Sequence, residues 1–179
     1  MRKPRLLPIA ITAIFAAALL FGGSMLYKQY SLASPLAGAV ESVPGVARAS
    51  APSITRDEVR LSLELAPDAS LREVFREVSD SGKAIAGDRQ LIVDVASDSS
   101  DELEKLWQGA LFEVAEAMET RNYSSIPEAM ERAVHGHGHV AVTTEMDETN
   151  VYITMKSGDA TKHVVLPRTP VQLGVWSHA

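Results

Sequence analysis

The sequence predicts an α+β protein in which an N-terminal transmembrane helix is followed by an extracytoplasmic domain. Three observations support this fold class: an uncharged apolar stretch over residues 6–27, period-two alternation over 59–65, and two serine–glutamate helix-capping patterns. The domain is predicted to contain a helix–strand–strand–helix–strand module, a long helix and a C-terminal antiparallel meander. The predicted divisions are a basic cap (1–5), the transmembrane helix (6–27), a linker (28–35), the α/β domain (36–167) and a tail (168–179).

The apolar stretch begins at Leu6 and ends at Tyr27 and contains no charged residue. Because a helix rises about 1.5 Å per residue, the stretch matches the roughly 30 Å hydrocarbon core of a bilayer. Several basic residues precede it and only one follows closely, which predicts a cytoplasmic N-terminus and a domain outside the membrane. These basic residues are Arg2, Lys3 and Arg5 before the stretch and Lys28 after it.

The first helix of the domain is predicted to be short and to precede a break in the chain. Its apolar residues, at helical spacing, are Leu36, Val40 and Val43. Pro44 and Gly45 then end it, because proline restricts the residue before it and glycine adopts turn geometry that other residues resist. A strand is predicted over residues 46–54, and Pro52 limits it to an edge or a bulge.

The next predicted elements are a half-buried strand, an amphipathic helix and a third strand. Residues 59–65 alternate between apolar and polar, which predicts a strand with one buried face. Ser70 and Glu73 form a capping-box pattern that begins a helix, and the serine and glycine at 81–82 are predicted to end it. Residues 91–96 are almost continuously apolar, which predicts a strand in a more central position of the sheet.

The second half of the sequence predicts two helices and three strands. Ser99 and Glu102 repeat the capping-box spacing and begin the longest helix, which runs to about residue 120. A shorter helix is predicted over residues 125–134. Three strands joined by short connections then complete an antiparallel meander. The predicted strands are 140–146, 151–155 and 161–166.

The composition and the absence of known catalytic motifs argue against several classes of function. The chain has no cysteine, which excludes disulfides, thiolate metal sites, cysteine catalysis and a lipid-modified N-terminal cysteine. Its net charge of −6 argues against binding to nucleic acid. No serine lies in a Gly-x-Ser-x-Gly or Ser-x-x-Lys motif, and the sequence has no glycine-rich phosphate loop. The sequence therefore predicts that the protein is not an enzyme.

Three histidines alternate with two glycines over residues 135–139. If this segment is extended, His135, His137 and His139 project to one side, because alternate residues of a strand share a face. Neutral imidazole is a common ligand of zinc, copper and nickel, so these histidines are the predicted ligands of a surface metal site. A polar, glycine-rich connection without a metal remains the alternative, because catalytic zinc needs rigidly held ligands. His163 joins the three histidines only if the meander brings its strand nearby.

Residues 33–96 resemble a known type of envelope domain. The residues that carry the resemblance are Leu36, Val40, Gly45, Val46 and Ala49, followed by the strand 59–63. With the order helix, strand, strand, helix, strand, this part looks like the ring-building motif of bacterial secretion and sporulation channels. It is also similar to the related module of small sporulation lipoproteins, although the chain lacks their anchoring cysteine. The resemblance implies a membrane-attached module that acts by assembling with partners.

These observations predict a membrane-anchored envelope protein whose extracytoplasmic domain is a non-catalytic protein-interaction or assembly module, of the secretion or sporulation type. The predicted partners are the lipid bilayer, through residues 6–27, and an envelope protein or a second copy of the chain. The predicted location is the cell membrane, single-pass, although cleavage after Ala33 or Ala39 releases the domain instead. Two other functions remain open: a metal-binding or metal-sensing envelope domain that uses residues 135–139, and a secreted hydrolase without a recognisable motif.

Overall fold

The computed structural model describes residues 34–168, which form four helices and seven strands. The helices are α1 (Ser34–Glu41), α2 (Leu71–Ala86), α3 (Asp101–Glu119) and α4 (Ser125–Val134). The strands are β1 (Val46–Ala49), β2 (Ser53–Ile54), β3 (Glu58–Leu65), β4 (Gln90–Val95), β5 (Val140–Met146), β6 (Asn150–Ser157) and β7 (Ala160–Pro167). The strands form two sheets, β1 to β4 in the N-terminal half and β5 to β7 in the C-terminal half.

β3 is the centre of the N-terminal sheet, and its alternating sequence explains why. Val59, Leu61 and Leu63 are buried on one face, whereas the residues between them are partly or fully exposed. β1 and β2 pair with β3 in antiparallel orientation, and β4 pairs with it in parallel. β1 and β2 replace the single predicted strand 46–54, which is interrupted at Pro52 because proline has no amide to donate to the ladder.

β4 lies at the edge of this sheet, so the central position predicted for residues 91–96 is wrong. Among the strands of residues 34–168, β4 pairs with β3 alone. Its apolar run has another cause, since Leu91 and Val93 pack against the N-terminal core while Ile92 on the opposite face is also half-buried.

α2 packs on the N-terminal sheet and is longer than predicted. Its first turn is capped by Ser70, whose Oγ accepts a hydrogen bond from the Glu73 amide at 3.3 Å, which confirms the serine half of the capping-box pattern. The helix does not end at residues 81–82 but continues for another turn, with Gly82 buried inside it. A Cβ at Gly82 would lie 2.6 Å from a methyl group of Leu91. This glycine therefore allows close packing between the helix and the sheet and does not terminate the helix.

The C-terminal half contains the predicted antiparallel meander, with α3 and α4 packed on it. β5 pairs with β6, and β6 pairs with β7. α3 begins one residue later than predicted, because Ser100 rather than Ser99 is its N-cap and accepts a hydrogen bond from the Leu103 amide at 3.3 Å. Glu102 consequently occupies the second helical position, where it cannot complete a capping box.

Each half has its own hydrophobic core. The N-terminal core contains Leu36, Val40, Val43, Val59, Leu61, Leu63, Val74, Val78 and Ala86. The C-terminal core contains Leu103, Ala110, Val114, Ala117, Ile126, Ala129, Met130, Val140, Val151, Ile153 and Met155. The two halves meet where the ring of Phe75 on α2 packs edge-to-face on that of Tyr152 on β6, with centroids 5.6 Å apart. Glu145 on β5 also accepts a hydrogen bond from Ser70 Oγ at 3.2 Å across this boundary.

The predicted fold class requires a correction in its first element, the transmembrane helix. Within residues 34–168, no helix combines the length and the apolar character needed to cross a membrane. The longest helix, α3, carries seven charged side chains, which are costly in hydrocarbon. They are Asp101, Glu102, Glu104, Lys105, Glu113, Glu116 and Glu119. The predicted stretch from Leu6 to Tyr27 lies outside the described residues, and the described chain is an α+β fold with four helices and two sheets.

Candidate metal centre

The segment 135–139 forms a tight connection between α4 and β5, not the extended strand assumed in the three-histidine prediction. The His137 amide donates to the Val134 carbonyl at 2.9 Å, and the Val140 amide donates to the His137 carbonyl at 2.8 Å. His135 lies exposed at the end of α4 and is not part of the cluster that the other two histidines form. The structure thus brings two of the three predicted ligands together.

Glu102 faces these two histidines from the first turn of α3. Its Oε1 lies 3.0 Å from Nδ1 of His137 and 3.0 Å from Nε2 of His139, and its Oε2 lies 3.1 Å from the same His139 nitrogen. The ligand atoms of the three residues all lie within 4.8 Å of one another. One carboxylate and two imidazoles therefore converge at the protein surface, with side chains that are 38–60% exposed.

Each of the three side chains is positioned by a defined piece of backbone. Glu102 is oriented by the start of α3, which the Ser100 cap determines. His137 is held by its main-chain hydrogen bond to the last residue of α4. His139 directly precedes Val140, whose buried side chain anchors the start of β5 in the C-terminal core. The cluster is thus built on the ends of three packed elements.

The Glu102 carboxylate is ionised at neutral pH. Hydrogen bonds from His139 and, second, from His137 lower the pKa of Glu102 below its usual value, against the opposing effect of desolvation. In residues 34–168, no lysine or arginine forms an ion pair with this carboxylate. Lys162 instead pairs with Glu104, which lies in the same part of α3. Its Nζ lies 2.8 Å from Oε1 of Glu104, and this hydrogen bond lowers the pKa of Glu104. Glu102 is therefore an anionic ligand that no lysine or arginine of residues 34–168 neutralises.

Two imidazole nitrogens and a carboxylate oxygen are a donor set that zinc, copper and nickel accept. Tetrahedral zinc with ligands at about 2.0–2.2 Å requires donor atoms roughly 3.3 Å apart. The separations in this cluster start at 3.0 Å and stay within 4.8 Å, so small side-chain rotations are sufficient to admit an ion.

The cluster lacks the outer support that catalytic metal sites have. Within the described part of the chain, no hydrogen bond holds the second ring nitrogen of His137 or of His139. Metal-ligating histidines in catalytic centres almost always donate that second N–H to a carboxylate, a carbonyl or a water. The geometry consequently suits reversible binding of an ion better than catalysis.

The sequence did not identify Glu102 as a site residue. Its spacing from Ser99 suggested a helix cap, and it lies 35 positions before His137. The available signal was an acidic residue in the first turn of a helix, which is a common pattern and does not indicate a ligand.

The groove between the two halves has a volume of about 610 Å³ and contains Ser97, Asp98 and His163. Among residues 34–168, Ser97 Oγ forms hydrogen bonds only with the main chain of His163: it accepts from the amide at 2.9 Å and donates to the carbonyl at 3.4 Å. The His163 ring points elsewhere, with Nδ1 3.2 Å from Thr154 Oγ1. This groove does not present a serine beside an imidazole base, so it adds no support for the hydrolase alternative. His163 also does not join the Glu102 cluster.

Comparisons of the chain with protein-family models, with curated proteins and with solved structures give no match. The resemblance of residues 33–96 to envelope ring-building modules is therefore neither supported nor contradicted, and it stays a prediction.

Proposed function

We propose that this chain is a non-catalytic domain that binds a divalent transition-metal ion, with zinc, copper and nickel as the candidates. The observation that carries the proposal is the Glu102 carboxylate, which lies 3.0 Å from His137 Nδ1 and 3.0 Å from His139 Nε2. These ligands come from two separate parts of the chain, so a bound ion joins the start of α3 to the connection between α4 and β5. Such an ion binds the folded chain in preference to the unfolded chain.

The surroundings of the cluster favour binding or sensing of an ion over hydrolysis. The three side chains are partly exposed, and the ring nitrogens not facing Glu102 have no partner within residues 34–168. A hydrolytic metal site needs a shielded position in which the water and the substrate are both oriented. A site of this openness exchanges its ion with the surrounding solution.

Isothermal titration of the purified full-length chain with Zn²⁺, Cu²⁺ and Ni²⁺ tests the metal-binding proposal. We expect one site with a dissociation constant below about 10 µM for at least one of the three ions. Glu102→Gln and His139→Ala each remove a ligand. Loss of a residue that only orients a ligand weakens metal binding roughly 10–100-fold, so we expect each of these variants to weaken binding at least as much.

His135→Ala is the matched control, because it removes a histidine from the same five-residue segment that does not belong to the cluster. This variant is expected to bind the ion as the unaltered chain does. The proposal is rejected if no ion binds more tightly than about 10 µM. It is also rejected if His135→Ala is as damaging as His139→Ala.

A second candidate function is non-catalytic assembly with protein partners in the cell envelope. One observation favours it: Phe112 in the middle of α3 is 83% exposed, and the neighbouring Leu111 is 40% exposed. Exposed aromatic side chains on a rigid helix are typical anchors of protein interfaces. Chemical cross-linking in cells that express the full-length chain is expected to trap the same partner repeatedly. A chain that never forms a cross-linked product contradicts this function.

A further inference from the structure

The outer face of α3 presents an aromatic ring without a partner in the described structure. Phe112 is 83% exposed, whereas Ala110, Val114 and Ala117 on the opposite face are buried in the C-terminal core. Gly109, one helical turn before Phe112, has no atom within 4 Å of the position that a Cβ would occupy. Ala115 lies one turn after Phe112 and is also small and exposed. Small residues therefore lie three positions before and three positions after the ring, and at these two positions another helix can approach closely.

Two of the charged side chains on this face lie at equal distances from Phe112. Lys105 precedes it by seven residues and Glu119 follows it by seven, and both are exposed. Seven residues are close to two helical turns, so the three side chains share one face. When two such helices lie antiparallel and cross at Phe112, Lys105 of each faces Glu119 of the other. In a parallel arrangement, Glu119 faces Glu119, which is repulsive.

We propose that α3 is the contact surface for a second copy of this chain, with the two α3 helices antiparallel about a twofold axis beside Phe112. Each Phe112 ring packs against the other and over the open position at Gly109, and two Lys105–Glu119 pairs flank the rings. The inference rests on the second proposed function, assembly with protein partners, and names the partner; it does not require the metal ion. One helix pair buries less than the about 1,200–2,000 Å² of a standard interface, so the dimer is weak and concentration-dependent.

The absence of cysteine from the chain allows a direct test, because any introduced thiol is unique. Lys105→Cys and Glu119→Cys are made in two differently tagged full-length chains that are expressed together. Cells are treated with a short bifunctional maleimide. In the antiparallel pair, position 105 of one chain faces position 119 of the other, whereas the two copies of position 105 are separated by about 21 Å. We expect a mixed product between the two tags, and neither variant is expected to form a product with itself.

Glu128→Cys on α4 is the control, because its side chain is 72% exposed but lies on another helix. It is expected to give no product with Lys105→Cys. A product of Lys105→Cys with itself overturns the antiparallel arrangement. If the chain forms products only with a different protein, the partner is not a second copy, but the assembly function is supported. If no product of any kind forms, the inference is contradicted, and the assembly function is decided separately by the general cross-linking of the unaltered chain.

Charge reversal provides an independent measurement on surface residues that are not part of either core. Lys105→Glu places like charges opposite each other and is expected to weaken dimerisation of the purified full-length chain at least about fivefold. The double variant Lys105→Glu with Glu119→Lys restores complementarity and is expected to restore the dimer. Sedimentation velocity over a concentration series measures both. If the double variant is as monomeric as the single one, the proposed pairing is wrong.

Discussion

The Glu102 carboxylate lies 3.0 Å from Nε2 of His139, although 37 positions separate the two residues in the sequence. Glu102 belongs to the first turn of α3, and His139 belongs to the connection that leads into β5. In the unfolded chain these groups are far apart and do not form one site. A ligand that requires both of them therefore binds the native state selectively and stabilises it by mass action.

Zinc is expected to raise the thermal stability of the full-length chain through this cluster. At a free concentration of about 100 times the dissociation constant, the expected stabilisation is about 2.7 kcal/mol. Glu102→Gln is expected to abolish most of this increase. Glu104→Gln is the matched variant from the same helical turn, and it is expected to keep the increase, because Glu104 pairs with Lys162 and not with the histidines. Circular dichroism melts with zinc and with excess chelator measure both, and an equal zinc effect in Glu102→Gln contradicts the prediction.

Tyr152→Phe is expected to destabilise the protein by about 1–2 kcal/mol at neutral pH. The buried Tyr152 hydroxyl donates to Asp147 Oδ2 at 2.7 Å and accepts from Asn150 Nδ2 at 3.1 Å, and phenylalanine keeps the ring but removes both bonds. Tyr123→Phe is the control, because the Tyr123 ring contacts the Arg168 guanidinium through its face and retains that contact without the hydroxyl. Urea denaturation of the three proteins measures the difference. Similar losses in the two variants would show that the hydrogen bonds of the Tyr152 hydroxyl contribute little.

Alkaline pH is expected to destabilise the native state through the same tyrosine. Burial and, second, the hydrogen bond to Asp147 raise the pKa of Tyr152 to about 12. An unfolded tyrosine has a pKa of about 10. Because the folded pKa is the higher one, this contribution is complete below pH about 10 and is lost as the pH rises through about 12. Tyr152→Phe should therefore show a smaller loss of stability over this range. Tyrosinate absorbance provides the check, and a Tyr152 signal that appears near pH 10 refutes the prediction.

Ser100→Ala is expected to destabilise the protein by about 1 kcal/mol, because the Ser100 hydroxyl caps the first turn of α3. Ser99→Ala is the matched control one residue earlier, at the position that the capping-box spacing suggested. Its effect is expected to be smaller than that of Ser100→Ala, because the half-buried Ser99 hydroxyl contacts the Ser100 carbonyl at 3.5 Å and the Glu104 side chain but is not the N-cap of α3. Thermal or urea unfolding distinguishes the two, and a larger loss in Ser99→Ala would restore the original assignment of the cap.

The regular elements of this fold could be predicted because their signals are local. Apolar and polar residues alternate over 59–65 because β3 has one buried face and one exposed face. This pattern can be read from the sequence without knowledge of any tertiary contact. The limits of elements were less predictable where packing overrides a local preference. Glycine often ends a helix, yet Gly82 lies inside α2. The position requires glycine because the Leu91 side chain leaves no room for a Cβ.

The candidate metal site could be predicted only in part. The alternation of histidine and glycine pointed to imidazole ligands, and two of them, His137 and His139, belong to the cluster. His135 does not, because main-chain hydrogen bonds turn the segment away from an extended conformation. The third ligand, Glu102, carried a local pattern that suggested a different role.

The sequence by itself determined the α+β character of the described chain, most of its helices and strands, the exclusion of thiol chemistry and the presence of a histidine-rich connection. These properties depend on residue type and on contacts between near neighbours in the chain. Tertiary structure alone decided that Glu102 meets His137 and His139 and that Phe112 faces solvent opposite the C-terminal core. The reason is physical: packing of α3 and α4 on the meander brings together groups that are distant in sequence, and no local pattern records which of them meet.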